Sequence, residues 1–355
     1  MTIFKYPFNF TEDPANPVKG TLELDEPLPY RSKSQGGGFY RPARIMLEHG
    51  PKLEIVLYDC DAIGKFIYLR ESPLDTHLLN LLGLKADEFQ KVDHLTLPGQ
   101  LCMGSDRTRL IGEALQYMIG TPALKPTITS RTQQNMAIFP IAREGLKYQV
   151  AEAIFENFGY YCDEILLDAH HVFDTSVPVY NRKVELGLFK DKDLDQEEHE
   201  NITAAFIADS IASGLVMKEV ISHINERFTR LERVEVIAPL ATIRGLCRLA
   251  ASEHARKSLV RVHVFETLLN ALPPDYYYSA HLPIPELHIR PEMEQAYREW
   301  WGKDGSGKDI ADTACAGYGW SEVFYSPRKQ IQMMNNELST RHHITIDKIV
   351  LRNIR

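Results

Sequence analysis

The sequence predicts an α/β fold: a doubly wound, mostly parallel sheet with an N-terminal α+β extension. Three observations carry that expectation. Between about Val92 and Thr267, short β-branched or wholly apolar runs alternate with amphipathic helical segments. The runs end in small, polar or Pro-containing turns that lead directly into helices, which is the order of βα units. The 355 residues, 44% of them hydrophobic and 25% charged, suffice for one large α/β domain with additions, or for two domains.

Taken in order, residues 1–91 read as an N-terminal extension of mixed strands and loops, 92–330 as the main domain and 331–355 as a C-terminal tail. Gly36-Gly37-Gly38 predicts a mobile or tightly turned loop. Lys52 to Tyr58 and Lys65 to Leu69 are candidate strands separated by the turn-like DCDAIG, in which Asp59 and Asp61 lack further ligands at calcium-loop spacing. Leu78 to Leu84 reads as a short helix. Ser105-Asp106-Arg107 caps an amphipathic helix carrying Leu110, Ile111, Ala114, Leu115 and Met118, with Gly120 near its end. A strand over Met136 to Ile141 leads through Ala142-Arg143-Glu144-Gly145 to a helix ending near Phe158, and Glu164 to Leu167 is another buried strand. The charge run at residues 190–200 has no apolar face and reads as a solvated loop.

Next, the apolar run Ala204 to Ala208 reaches Asp209 and the small-residue loop Ser210-Ile211-Ala212-Ser213-Gly214. A helix follows with Leu215, Met217, Val220, Ile221 and Ile224 on one face. Arg233 to Ala238 is a strand ending at Pro239, Ile243 to Ala251 a helix, and Arg261 to Thr267 a strand. Beyond Pro273 the pattern is irregular. Tyr276 to Tyr278 and Trp300-Trp301 read as packing aromatics. The segment 302–308 fits G-x-x-x-x-G-K but has Asp309 where a Ser or Thr is needed, and no strand precedes it, so it reads as a flexible loop.

Composition excludes several classes. A net charge of -8 provides no global field for nucleic acid or an anionic membrane. The five cysteines are widely separated and form no CxxC pair, which argues against a zinc site or a disulfide framework and suits a reducing cytoplasm. The first ten residues lack the features of a signal peptide, and no apolar run approaches membrane-spanning length.

In a parallel sheet, ligands bind beyond the carboxyl ends of the strands. Three strand ends therefore matter: Ala142-Arg143, Asp209 to Gly214, and Ala238-Pro239. Strand, tight loop and helix at Asp209–Gly214 form the geometry in which main-chain N–H groups cradle a phosphate. The same residues also fit an ordinary βα turn with Ser210 or Ser213 as a cap. Gly317 and Gly319, in a second glycine-rich turn, would let the backbone approach a flat ligand.

Several stretches, in this order, resemble the type I phosphoribosyltransferase family, its uracil phosphoribosyltransferase branch in particular. FPIAREGLKYQVAEAI resembles the pyrophosphate segment and AAFIADSIASGLVMKEVI the segment for 5-phosphoribosyl diphosphate. VEVIAPLATIRGL is similar to the strand and loop that follow, with Gly245 in a matching place, and AGYGWSE resembles the glycine-rich loop that holds the base. HLTLPG with Arg107-Thr108 resembles the start of that domain. The resemblance spans residues 92–330 and implies a phosphoribosyltransferase-like domain, a homodimer, and Mg2+ as cofactor.

It further implies catalytic roles for Asp209, at the ribose hydroxyls and the metal, and for Arg143, at the departing pyrophosphate. Ser210, Ile211, Ala212, Ser213 and Gly214 would wrap the 5′-phosphate. Glu144, Gly145, His170, Ala238, Pro239, Gly317 and Gly319 would complete the substrate contacts. Three departures stand out: Ala208 where the family often has an acid, Leu215 where a second glycine is common, and Asp168-Ala169-His170-His171 where an Arg followed by acids is usual.

The expected activity is transfer of ribose 5-phosphate from 5-phosphoribosyl diphosphate to a pyrimidine or other small cyclic acceptor, releasing pyrophosphate. A non-catalytic phosphoribosyl- or nucleotide-binding regulator, and a related glycosyl-transfer enzyme of a specialised pathway, are the alternatives.

Overall fold

The computed structural model describes residues 1–10, 18–50, 52–68, 71–72, 95–96, 105–142, 144–172, 176, 183–188, 201–252, 257–266 and 269, with isolated positions between 335 and 348. The strands are β1 (Thr2–Phe10), β2 (Val18–Asp25), β3 (Leu28–Ser32), β4 (Gly36–Leu47), β5 (Lys52–Cys60), β6 (Glu71–Ser72), β7 (Leu95–Thr96), β8 (Met136–Ala142), β9 (Asp163–Glu164), β10 (Leu167–His171), β11 (Val184–Leu188), β12 (Ala204–Ala208), β13 (Arg233–Ile237) and β14 (Leu259–Phe265). The helices are α1 (Asp61–Tyr68), α2 (Ser105–Gly120), α3 (Lys125–Thr129), α4 (Val150–Phe158), α5 (Leu215–Arg227) and α6 (Ile243–Ala251).

One 12-stranded sheet organises the described residues, in the order β1-β2-β4-β5-β14-β13-β12-β8-β10-β11, with β3 on β4 and β9 on β8; β6 and β7 pair separately. From β5 through β14, β13, β12 and β8 to β10 every pairing is parallel. The antiparallel β1–β4 set continues the sheet on one side, and β11 closes it on the other. The expected mostly parallel α/β sheet is therefore present. Strands β1 to β5 are hydrogen-bonded into it, with β5 lying parallel to β14 in the register Tyr58↔Phe265.

Both faces are covered. On one, Met217, Val220, Ile221 and Ile224 of α5 and Ile243, Leu246 and Leu249 of α6 pack against Phe139, Ile207, Val236 and Val262. On the other, Leu110, Ile111, Ala114 and Met118 of α2 and Val150 and Ile154 of α4 pack against Ile138, Phe206 and Ile237. Each helix is one-sided for this reason.

Three local expectations are corrected. The segment expected as a strand from Lys65 is α1, which starts at Asp61 with no intervening turn; its Ala62 and Ile63 are buried and an Asp61–Lys65 ion pair of 2.6 Å runs along its surface. Gly36, Gly37 and Gly38 are not a loop but the first residues of β4: the turn lies at 33–35, Gly36 pairs with Ser32 at φ +78°, and a Cβ on Gly38 would stand 2.3 Å from the Asp59 carbonyl oxygen, so glycine is needed there. The strand expected at Glu164 to Leu167 is divided: β9 ends at Glu164, and β10 runs on to His171 because β11 pairs with it.

A polar cluster lies inside the sheet. The Glu235 carboxylate accepts from Thr127 Oγ1 (2.6 Å), from Arg261 (2.7 and 3.0 Å) and from His263 Nε2 (2.8 Å), and Arg233 stands 3.2 Å away. His263 Nδ1 meets the Tyr58 hydroxyl at 2.7 Å. Burial works to raise Glu235, but hydrogen bonding and charge from His263 and Arg261 bring it down to about 2. Burial also pushes His263 below its ordinary value, against the pull of Glu235. His263 is thus a neutral donor to Glu235, and the lasting positive charge is that of Arg261 with Arg233 beside it.

Candidate functional site

Chain direction makes the site. From β8 the chain passes through α4 to β10 on one side of β8. From β12, on the other side of β8, it passes through α5 to β13 and on toward β14. The loops leaving β8 and β12 therefore diverge to opposite faces of the sheet, and the carboxyl ends of these adjacent strands flank a topological switch point. In open α/β sheets this is where a ligand crevice forms.

The β12 loop is pinned from the far side. Asp209 N donates to the Ile237 carbonyl (3.2 Å), Ile211 N to Leu240 O (2.9 Å) and Thr242 N to Ile211 O (2.9 Å), so parallel pairing continues past the strand ends. Isolated bridges link Ile211 to Ala241 and Ala241 to Leu269. Thr242 caps α6, its Oγ1 accepting from Gly245 N at 2.9 Å while donating to the Ala212 carbonyl. Arg248 Nη1 donates to Ser213 O at 2.9 Å.

Gly214 occupies the N-cap position of α5 with φ +75°, and a Cβ there would meet Gly245 O at 2.6 Å, so glycine is required on both counts. Of the two serines considered as caps, Ser213 contributes: its Oγ accepts from Leu215 N at 3.2 Å. The N–H groups of Ala212, Ser213 and Gly214 have no hydrogen-bond partner among the described residues. They sit at the positive end of the α5 dipole.

The β8 loop approaches from the other side. A Cβ on Gly145 would stand 1.9 Å from the Ala208 carbonyl oxygen, so only glycine lets this loop close onto the end of β12. That closure brings Glu144 to Ser210, whose Oγ lies 2.7 Å from Glu144 Oε1. The buried Tyr148 completes a ring, its hydroxyl donating to Glu144 Oε1 and lying 2.7 Å from Ser210 Oγ. Burial raises the Asp209 carboxyl well above its usual range and the Glu144 charge raises it further, while a hydrogen bond from Ser210 N works the other way. Two carboxylates from neighbouring strand ends thus lie close enough for the charge of one to act on the other. Among the described residues no group of three or more His, Cys, Asp or Glu side chains could hold a metal ion.

The structure thus brings together Asp209, Ser210, Ile211, Ala212, Ser213, Gly214, Glu144 and Gly145. Ala238 and Pro239 are buried within the ladder: Ala238 N donates to His263 O, and Pro239 O accepts from Phe265 N. His170 lies near the end of β10, two residues beyond its last pairing with β8; its exposed ring is 3.9 Å from Asp168 and 3.7 Å from Glu185. Arg143, Gly317 and Gly319 lie outside the described residues, as do the segments at 78–84, 190–200, 276–278 and 300–322.

Sequence reasoning passed over Tyr148, Thr242 and Arg248. Tyr148 stands four residues after Glu144, a spacing that signals a shared face, and Thr242 precedes a helical run as an N-cap does. Arg248 gave no such signal.

No protein-family model matches the chain, and no curated protein matches it. Among solved structures it is similar to a hypoxanthine phosphoribosyltransferase from Staphylococcus aureus, with 10% identity, a TM-score of 0.30, and coverage of 43% of this chain and 74% of that one. It is also similar to an adenine phosphoribosyl transferase from Trypanosoma brucei, in complex with AMP, pyrophosphate and ribose-5-phosphate: 12% identity, TM-score 0.34, covering 68% and 95%. A third is a hypothetical protein from Neisseria gonorrhoeae with bound ppGpp, at 11% identity and TM-score 0.29, covering 49% and 87%. Similarity this remote transfers no activity.

Proposed function

We propose that this protein is a phosphoribosyltransferase-like enzyme that transfers ribose 5-phosphate from 5-phosphoribosyl diphosphate to a pyrimidine or other small cyclic acceptor. One observation carries the proposal: the loop whose Ala212 to Gly214 N–H groups have no partner among the described residues starts at Asp209 and Ser210, and the Glu144 carboxylate of the adjacent strand end reaches both. A phosphorylated sugar with vicinal hydroxyls needs both features at once, donors for its phosphate and acceptors for its hydroxyls.

In this reaction the bond from C1′ to a pyrophosphate oxygen breaks, a bond from C1′ to an acceptor nitrogen forms, and the acceptor loses a proton. No protein nucleophile is required, so positioning and electrostatics supply the rate. The loop at 210–214 holds the 5′-phosphate. Asp209 accepts from the ribose hydroxyls and faces the positive charge that develops at C1′. Arg143 neutralises the leaving pyrophosphate. Mg2+ fits a pair of adjacent carboxylates completed by donor oxygens; bound there by Asp209 and Glu144, it would offset the negative charge of the diphosphate.

A second reading, a regulator that binds the donor without turning it over, is favoured by Ala208. That residue carries no carboxylate, so this strand end contributes Asp209 as its one acid. The deciding experiment incubates the purified protein with 5-phosphoribosyl diphosphate, Mg2+ and a panel of pyrimidines and small cyclic bases. Base-dependent release of pyrophosphate, with a nucleotide product by mass spectrometry, is expected. Donor binding by calorimetry without turnover would establish the regulator, and absence of both would overturn the two readings together.

A further inference from the structure

We propose that Tyr148 is a positioning residue that holds Ser210 in place when the Glu144 carboxylate turns to its ligand; the proposal rests on the donor-binding function above. It comes from counting protons. Glu144 Oε1, Tyr148 Oη and Ser210 Oγ form a closed triangle of three contacts. An ionised carboxylate only accepts, so Tyr148 and Ser210 provide two hydroxyl protons for three edges. One edge is therefore always in reserve. With both hydroxyls directed at Glu144, the edge between Tyr148 and Ser210 is unfilled. When Glu144 withdraws, one hydroxyl turns to the other and that edge fills.

The ring thus lets Glu144 leave without stranding the Ser210 hydroxyl, the costly outcome for a part-buried polar group. Placement suits this role. Tyr148 belongs to the β8 loop and is only 2% exposed, whereas Ser210 belongs to the β12 loop, so the tyrosine braces the neighbouring loop from a fixed base. Gly145, pressed against Ala208 O, fixes the distance between the two loops.

The test uses the full-length protein, with 5-phosphoribosyl diphosphate and Mg2+ as the probe. Tyr148→Phe removes one hydroxyl and preserves the ring that packs. It should weaken donor binding by calorimetry about tenfold, the scale of one hydrogen bond. In a Glu144→Gln background the same change should have less than about half that effect on a logarithmic scale, because the two residues act in one ring. A role confined to packing would make the two losses additive, and that result, or unchanged donor affinity in Tyr148→Phe, would overturn the proposal.

A ligand-free readout separates this from failure of the proposed function. The side-chain carboxyl carbon resonance of Glu144 should move in Tyr148→Phe. If the wild type binds no donor, the proposed function fails and the resonance alone judges the ring: a shift supports it, and no shift overturns it.

Discussion

At the scale of single residues, the crevice holds charge that the fold disfavours. Because Asp209 keeps its proton more tightly folded than unfolded, its contribution to stability declines as pH rises from the ordinary carboxylate range through the raised value, and is constant above it. Asp209→Asn should therefore raise stability at neutral pH by about 1 kcal/mol or more and remove that pH dependence, while abolishing donor binding. Denaturant titrations at several pH values, paired with calorimetry, check both halves. Gly145→Ala has a different expected signature. The added methyl would meet main chain 1.9 Å away, so a loss of about 3 kcal/mol is expected together with weaker donor binding, visible in the same two measurements. The Asp209 loop was legible in the sequence because small residues between an apolar run and a helix have few structural meanings. Glu144 as its electrostatic neighbour was not, since that pairing depends on which strands lie side by side.

Among the elements, α6 was readable at about Ile243 to Ala251 because periodicity and apolar face agree, and the Thr242 cap that sequence reasoning passed over points the same way. Where only a few apolar residues carried the signal, as after Asp61, helix and strand were indistinguishable locally and packing against β5 and α2 decided the outcome. In Arg233–Ile237 and Leu259–Phe265 the alternation of polar and apolar residues resembles a sheet with one wet face. The polar face is in fact buried, its charges satisfied by one another and by Thr127. At this scale Thr242 is the informative position, since one hydroxyl both caps α6 and holds the Ala212 carbonyl. Thr242→Ala should cost about 1 kcal/mol in thermal unfolding and release the β12 loop, so donor affinity should fall although Thr242 lies behind the phosphate-binding groups.

For the whole molecule, the Glu235 cluster joins the N-terminal strands to the parallel core through Tyr58 and His263. Glu235 falls from 4.5 to about 2 on folding, so its contribution is complete above the unfolded value and is lost as pH drops between those limits. His263, held below 6.5, adds a loss that starts at higher pH, because the unfolded chain takes up that proton first. Acid unfolding should accordingly be steep. Glu235→Gln should cost about 3 kcal/mol near neutrality, depriving Arg261 and Arg233 of their buried carboxylate partner, and should flatten the acid limb measured by circular dichroism.

The divergence of the two crevice loops also has a mechanical side. One loop is the root of α4 and the other the root of α5, and these helices lie on opposite faces of the sheet. A ligand gripping both roots acts as a rivet through the laminate, fastening two outer plies that have the strands between them. Amide exchange should then slow in α4 and α5 together when the crevice fills, although neither helix need touch the ligand beyond its first turn.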